Sequence, residues 1–189
     1  FTMTQGGGTA MSRGDWANAA SQILPQSSPV NIWSEAIVDM GTNTVTVNVE
    51  VYYTGAQIVT TNKLNVAVLQ NNVEGPQSGA SANSGSILPN GNYNHNHMLR
   101  HLMTGQWGDE LDIITQGTTI TRTYTWTIPT NLNGVELDLA NFEVIAFVSE
   151  GQQEIISGDY SNMSWNFPNT TDAYCMSSSA NDAICAEST

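Results

Sequence analysis

Basic side chains are nearly missing from this sequence: Lys and Arg number 4 against 17 Asp and Glu, a formal net charge of −13 over 189 residues. That balance argues against nucleic acid as a partner, because neutralising phosphates needs a basic footprint. Adsorption to anionic lipid is opposed for the same reason. All charged residues together make only 11% of the chain, against roughly 25% in an ordinary soluble domain. No apolar run approaches the ~18–20 residues that a membrane-crossing helix needs, and the strands carry no aromatic girdles of the transmembrane-barrel kind. The signatures of common catalysis are also missing. There is no Gly-x-Ser-x-Gly elbow, no Lys-Ser/Thr follows the glycines near Gly75, and no spacing singles out two carboxylates as an acid–base pair. The expectation is a protein that is not an enzyme and holds no cofactor.

Cysteine is scarce too, with Cys175 and Cys185 only. Their spacing fits neither a redox Cys-x-x-Cys pair nor a zinc knuckle. A disulfide closing a short loop is expected instead, worth roughly 2–3 kcal/mol in the chain-entropy model, which favours an oxidising compartment.

What is present is polarity without charge: Thr, Asn, Ser, Gln and Gly, as on an extracellular β surface. Apolar residues are 40%, enough for one core at this length. Between Asp15 and Leu24 the residues Trp16, Ala19, Ala20, Ile23 and Leu24 fall on one helical face. Ser12 or Asp15 is placed to cap that helix and Pro25 to stop it, with Trp16 expected as a packing anchor. Strands are predicted over 30–39, 44–54, 63–71, 117–128, 141–150, 153–157 and 161–167. The alternation Val45, Val47, Val49, Val51 and Tyr53 marks a sheet with one buried face. Thr119, Thr121, Thr123, Thr125 and Thr127 form a threonine row opposite Ile120, Arg122, Tyr124, Trp126 and Ile128. One such row resembles part of an ice-binding surface but is not an array. Apolar residues on both faces of 141–150 predict a central strand, and 161–167 is expected at an edge. Residues 71–93 read as a long polar surface loop. The sum is an all-β antiparallel β-sandwich, Ig-like or jelly-roll-like, with a short N-terminal helix. Its parts are a lead-in and helix (1–28), a sandwich (29–158) and a C-terminal edge strand with a disulfide-closed tail (159–189).

All three histidines fall in one stretch, Tyr93-Asn94-His95-Asn96-His97-Met98-Leu99-Arg100-His101. As a single strand it places His95, His97, Leu99, His101 and Met103 on one face, with His95 and His97 about 7 Å apart and His95 and His101 about 20 Å apart. His95 and His97 then offer at most two ligands for zinc or copper and need a carboxylate such as Asp109 or Glu110 folding back. The competing and preferred reading is structural hydrogen bonding. Arg100, on the other face, is expected to pair with a carboxylate. Exposed Trp and Tyr rings leave carbohydrate binding as a further alternative.

Several stretches carry a resemblance: 47–55, 64–77, Tyr93-Asn94-His95-Asn96-His97-Met98-Leu99-Arg100, Thr104-Gly105-Gln106-Trp107-Gly108 and 144–148. Together they resemble the C-terminal β domain of the 28-kDa outer-membrane-protein family of Bacteroidetes-type bacteria, over about residues 11–158. Tyr93, His95, His97, Arg100 and Trp107 carry its most specific part, and the Cys175–Cys185 tail lies outside it. The resemblance implies a secreted or outer-membrane-associated surface protein, often lipid-anchored, without established catalysis and sometimes proposed as an adhesin. Residues 11–34 resemble the segment where a preceding thioredoxin-like region ends in many members, so the chain is expected to be the C-terminal portion of a longer polypeptide or a trimmed variant. Expected partners are other cell-surface proteins or further copies of the chain, with glycans second.

Overall fold

A computed structural model describes residues 12–56, 62–152 and 154–168, together with the backbone of Tyr174–Ser177 and Ala183–Ala186. After a short helix α1 (Trp16–Ile23) the strands are β1 (Val30–Asp39), β2 (Thr44–Tyr53), β3 (Asn62–Gln70), β4 (Val73–Gly75), β5 (Tyr93–His95), β6 (Met98–Leu102) and β7 (Asp109–Glu110). They continue with β8 (Thr119–Thr127), β9 (Asn131–Leu132), β10 (Val135–Glu136), β11 (Phe142–Glu150), β12 (Glu154–Tyr160), β13 (Asn162–Asn166), β14 (Tyr174–Ser177) and β15 (Ala183–Ala186). Sheet one has the order β13-β1-β2-β8 and sheet two the order β12-β11-β3-β6, with β7 continuing beside β3. A β-sandwich results, as the alternation predicts.

The core between the sheets is the sum of their inward rows. Sheet one contributes Val30, Ala36, Val38, Val45, Val47, Val49, Val51, Tyr53 and Ile120. Sheet two answers with Leu64, Val66, Val68, Phe142, Val144, Ala146 and Val148. Val dominates because a β-branched side chain has little rotamer freedom to lose and packs well on a pleated surface. The tight β1–β2 connection is held by the Asp39 carboxylate, which accepts from the backbone N–H of Gly41 (2.9 Å) and Thr42 (2.8 Å). Hydrogen bonds from Thr42 above all keep that carboxyl below its ordinary pKa.

Several elements depart from the sequence expectations. β13 lies at the edge, as expected, but pairs parallel to β1. The chain leaves sheet two at the end of β12 and crosses at Ser161, whose N–H bonds to Val144 O and whose hydroxyl meets Ser34. The 71–93 connection is not structureless: β4 pairs with β5, and a 3-10 segment spans Ala80–Ser86. The histidine stretch is two strands rather than one, β5 and β6, broken at Asn96–His97. Finally, Trp16 is no packing anchor. It is 58% exposed, and Ala19 alone of helix α1 is buried. Ser12 caps the turn before the helix, while Asp15 makes no side-chain cap bond.

Cys175 stands opposite Cys185 in the β14–β15 register. Their side chains lie outside the described residues.

Candidate functional site

The break in the histidine stretch has a local cause. His97 adopts a left-handed backbone (φ 54°), its N–H is caught by the Asn71 side-chain oxygen at 2.8 Å, and its Nδ1 lies 2.7 Å from Glu143 Oε2. These contacts take His97 out of the face shared by a continuous strand. His95 instead sits against Tyr93, ring centroids 5.0 Å apart. Asp109 accepts from the Tyr124 hydroxyl at 2.9 Å, and burial together with that bond drives the Tyr124 pKa upward. The three candidate ligands His95, His97 and Asp109 thus have three different neighbours. Among the described residues no group of three or more His, Cys, Asp or Glu is placed to hold a metal.

His101 points the other way, into the sandwich. It stacks on Trp126 of β8 (4.3 Å, 11°), which lies nearly parallel to Phe142 of β11 (6.4 Å, 14°). The three rings bridge the two sheets. Burial lowers the His101 pKa below the ordinary imidazole value, so the folded protein resists protonation that the unfolded chain accepts. Stability from the neutral ring is therefore complete above the ordinary value and is lost as pH falls below it. His101→Phe, which keeps a stacked ring, is expected to flatten the fall in thermal midpoint between about pH 7 and 5. An unchanged slope would show that the imidazole titrates alike in both states.

Arg100, expected to pair with a carboxylate, has none as a partner among the described residues. It is the extra residue of a bulge in β6, where Leu99 faces Leu69 and His101 faces Val68. Its guanidinium donates to Val135 O at 3.3 Å, while Gln70 donates to the adjacent Glu136 O at 3.4 Å. Both side chains tether the β9–β10 hairpin. The Gln70 Oε1 and Arg100 Nε atoms beneath it are buried without a hydrogen-bond partner.

The Thr-Gly-x-Trp-Gly motif fills the gap between β6 and β7. Strand β3 needs partners there, and Val66 finds them in Met103 N–H (2.9 Å to its oxygen) and the Thr104 hydroxyl (3.0 Å from its N–H). The motif thus satisfies a central strand's backbone. Trp107 at its tip is exposed.

Sequence reasoning missed a web of asparagines around these turns. Asn72 N–H bonds Asn96, Asn72 Nδ2 bonds Asn141, and Asn94 Nδ2 bonds Asn72. Asn92 and Asn90 donate to Glu74 and hold its carboxyl below the ordinary range. The density of Asn between 71 and 96 is the available signal.

The outer faces of the two sheets differ, and on sheet two the central residues Ala67 and Leu69 are buried. On the outer face of sheet two, register lines up Tyr160, Ile145, Ala67 and Leu102 across all four strands, with Leu69 and Leu99 alongside and Phe147 on the other flank. Leu99 is 55% and Tyr160 65% exposed. Sheet one's outer face is polar, with Asn48 bonded to Glu35 and Thr123 bonded to Asn48. At its far end Trp33 (48% exposed) and Tyr52 (41%) flank Glu50.

The fold defines a β-sandwich module. The chain belongs to the outer membrane protein Omp28 family, whose model matches residues 7–159, and it is accordingly an outer-membrane-associated protein. Among solved structures it is similar to a domain of the outer membrane lipoprotein Omp28 from Porphyromonas gingivalis, with 17% identity and a TM-score of 0.48 over 74% of this chain and 92% of that one. It is also similar to HBP35 of Porphyromonas gingivalis, with 16% identity and a TM-score of 0.60 over 90% of this chain. The match spans 54% of the HBP35 chain, about half its length. No curated protein matches. Among the described residues no helix is long and apolar enough to cross a membrane.

Proposed function

We propose that this chain is a non-enzymatic binding module of the cell surface, acting as an adhesin or as a subunit of a larger outer-membrane-associated assembly. The observation that carries the reading is the pair of exposed apolar side chains Tyr160 and Leu99, which stand at the two ends of a row whose other members, Ile145, Ala67 and Leu102, are half-buried or buried. Exposed apolar side chains continuous with an apolar sheet face mark contact surfaces, whereas singly scattered ones need no explanation. Leu99→Lys places a charge beside that row at an exposed position, where the folded chain tolerates it. Its thermal midpoint is expected to stay close to the parent's. The particle isolated from cells, sized by light scattering, is expected to lose mass relative to the parent particle. Equal masses would remove this face from the reading.

A second reading is favoured by the exposed Trp33 and Tyr52 rings on an otherwise polar face. Such rings stack on sugar faces while Glu50, Thr119 and Thr121 stand ready to bond hydroxyls. A glycan array should then give hits that Trp33→Ala abolishes. An array without hits would count against it.

A further inference from the structure

We infer that β8 is a docking edge for a second copy of this chain, two β8 strands pairing antiparallel about a two-fold axis at Thr123 so that two sheets one become a single sheet. The inference deepens the assembly reading, on which it rests, by naming the partner and the strand.

The first ground is that β8 is the regular open edge of the sandwich. A free edge offers unpaired N–H and C=O groups to any passing strand, and proteins blunt such edges by shortening, bulging or interrupting them. The other edges are blunted in this way. β13 is 5 residues long, β12 meets β11 through an irregular register, and β6 is bulged and broken from β7. β8 runs 9 residues in unbroken register with β2, without Pro, Gly or Lys, and Arg122 is its single charged side chain. Among the described residues no strand pairs with its other side.

The second ground is which groups face outward. Ile128 N–H bonds to Asn43 O and Tyr53 N–H to Thr118 O. In an antiparallel ladder these bonds alternate, so the even-numbered residues of β8 point their backbone groups at β2. Thr119, Thr121, Thr123, Thr125 and Thr127 hold theirs out at the open edge. Arg122 Nη1 already reaches back to Thr121 O at 3.0 Å, satisfying one outward carbonyl within the chain. That carbonyl keeps a second lone pair for an incoming N–H.

The third ground is that Thr-Ile-Thr-Arg-Thr-Tyr-Thr-Trp-Thr is complementary to itself when reversed. Centred on Thr123, every outward threonine meets a threonine: 119 with 127, 121 with 125, 123 with 123. All five then form hydrogen-bonded pairs, giving up to about ten backbone bonds. On the other face Ile120 meets Trp126, and the Arg122 guanidinium meets the Tyr124 ring, a cation–aromatic pair. Shifting the centre to Arg122 would set two like charges directly opposite each other, which is destabilising.

Thr123→Lys tests this, because its side chain is exposed in the single chain yet would face its own copy across the two-fold. For the purified full chain, light scattering is expected to give twice the 20.4 kDa chain mass. The lysine variant should be monomeric, its dimer dissociation constant raised at least about tenfold, with an unchanged circular dichroism spectrum. Amide exchange should be slow at the odd-numbered threonines of the parent and fast at those of the variant. The even-numbered amides should be slow in both. Thr123→Cys serves as a second variant, since opposed residues of a hydrogen-bonded pair sit about 5.5 Å apart, within disulfide reach. A crosslink between the two introduced thiols, one from each copy, is expected under mild oxidation. A parent that stays monomeric at about millimolar concentration overturns the inference, as does a dimer that survives Thr123→Lys or one whose odd-numbered amides exchange fast. Because Leu99 lies on the other sheet, loss of mass with Leu99→Lys and loss of the dimer with Thr123→Lys are separate results.

Discussion

Replacing Gly108 by alanine is expected to cost about 3 kcal/mol or more, lowering the thermal midpoint by on the order of 10 °C. Gly108 ends the motif that fills the gap beside β3, and two effects add there. Its φ of 73° is left-handed, a conformation costing an L-residue roughly 1–2 kcal/mol. A Cβ at this position would also lie 2.7 Å from Asn65 Oδ1 and 2.8 Å from Leu64 O. Neither neighbour gives way easily. Leu64 O is strand backbone, and Asn65 is buried with its Nδ2 bonded to Ser149 Oγ at 3.0 Å and to Lys63 O at 3.3 Å. Gly105 of the same motif supplies the control. Its φ is 69°, yet a Cβ there would meet nothing within 4 Å, so Gly105→Ala should show the conformational cost alone. Chemical denaturation of the two variants side by side measures the difference. Equal losses would mean that the Asn65 contact relaxes freely.

The Asp159→Ala variant should be destabilised by about 2–3 kcal/mol, because removing this half-buried carboxylate leaves a buried donor unsatisfied. Asp159 Oδ2 accepts from the backbone N–H of Ser34 at 2.8 Å and from its hydroxyl at 3.0 Å, and that hydroxyl lies 2.8 Å from Ser161 Oγ. Ser34 is fully buried. It falls just before the first β1–β13 partner pair, Glu35 with Asn162, so the carboxylate stands where the strand ladder has not yet begun. Alanine leaves the Ser34 N–H without an acceptor and too deep for water. Asp159→Asn retains one acceptor oxygen and should recover most of the loss. If alanine and asparagine cost the same, the charge rather than the acceptor would be what β1 requires.

Much of the sandwich is legible from alternation alone. The inward valines of β2 and the divided faces of β8 follow from the period of two, because one side of each strand meets the opposing sheet and the other meets water. Apolar residues on both faces of β11 place it between neighbours, and it lies between β12 and β3. The Omp28 resemblance rests on stretches that fall inside the span the family model matches.

The histidine stretch misleads for a physical reason. Its alternation continues through Asn96 and His97, so a pattern of period two sees one strand. The break is made by groups far along the chain: Asn71, 26 positions away, takes the His97 N–H, and Glu143, 46 positions away, takes its ring. Trp16 shows the converse. Its spacing defines an apolar helical face, but a face is buried only when another surface arrives to cover it.

What the sequence determined by itself, then, was the local period, the acidic balance and the class of β-sandwich, since each depends on neighbouring residues or on composition. Tertiary structure alone decided that β13 runs parallel to β1, that Arg100 reaches a hairpin, and that β8 ends sheet one among the described residues. These are settled by which strand ends meet in space, and pairings between distant residues leave no trace in the period of either partner.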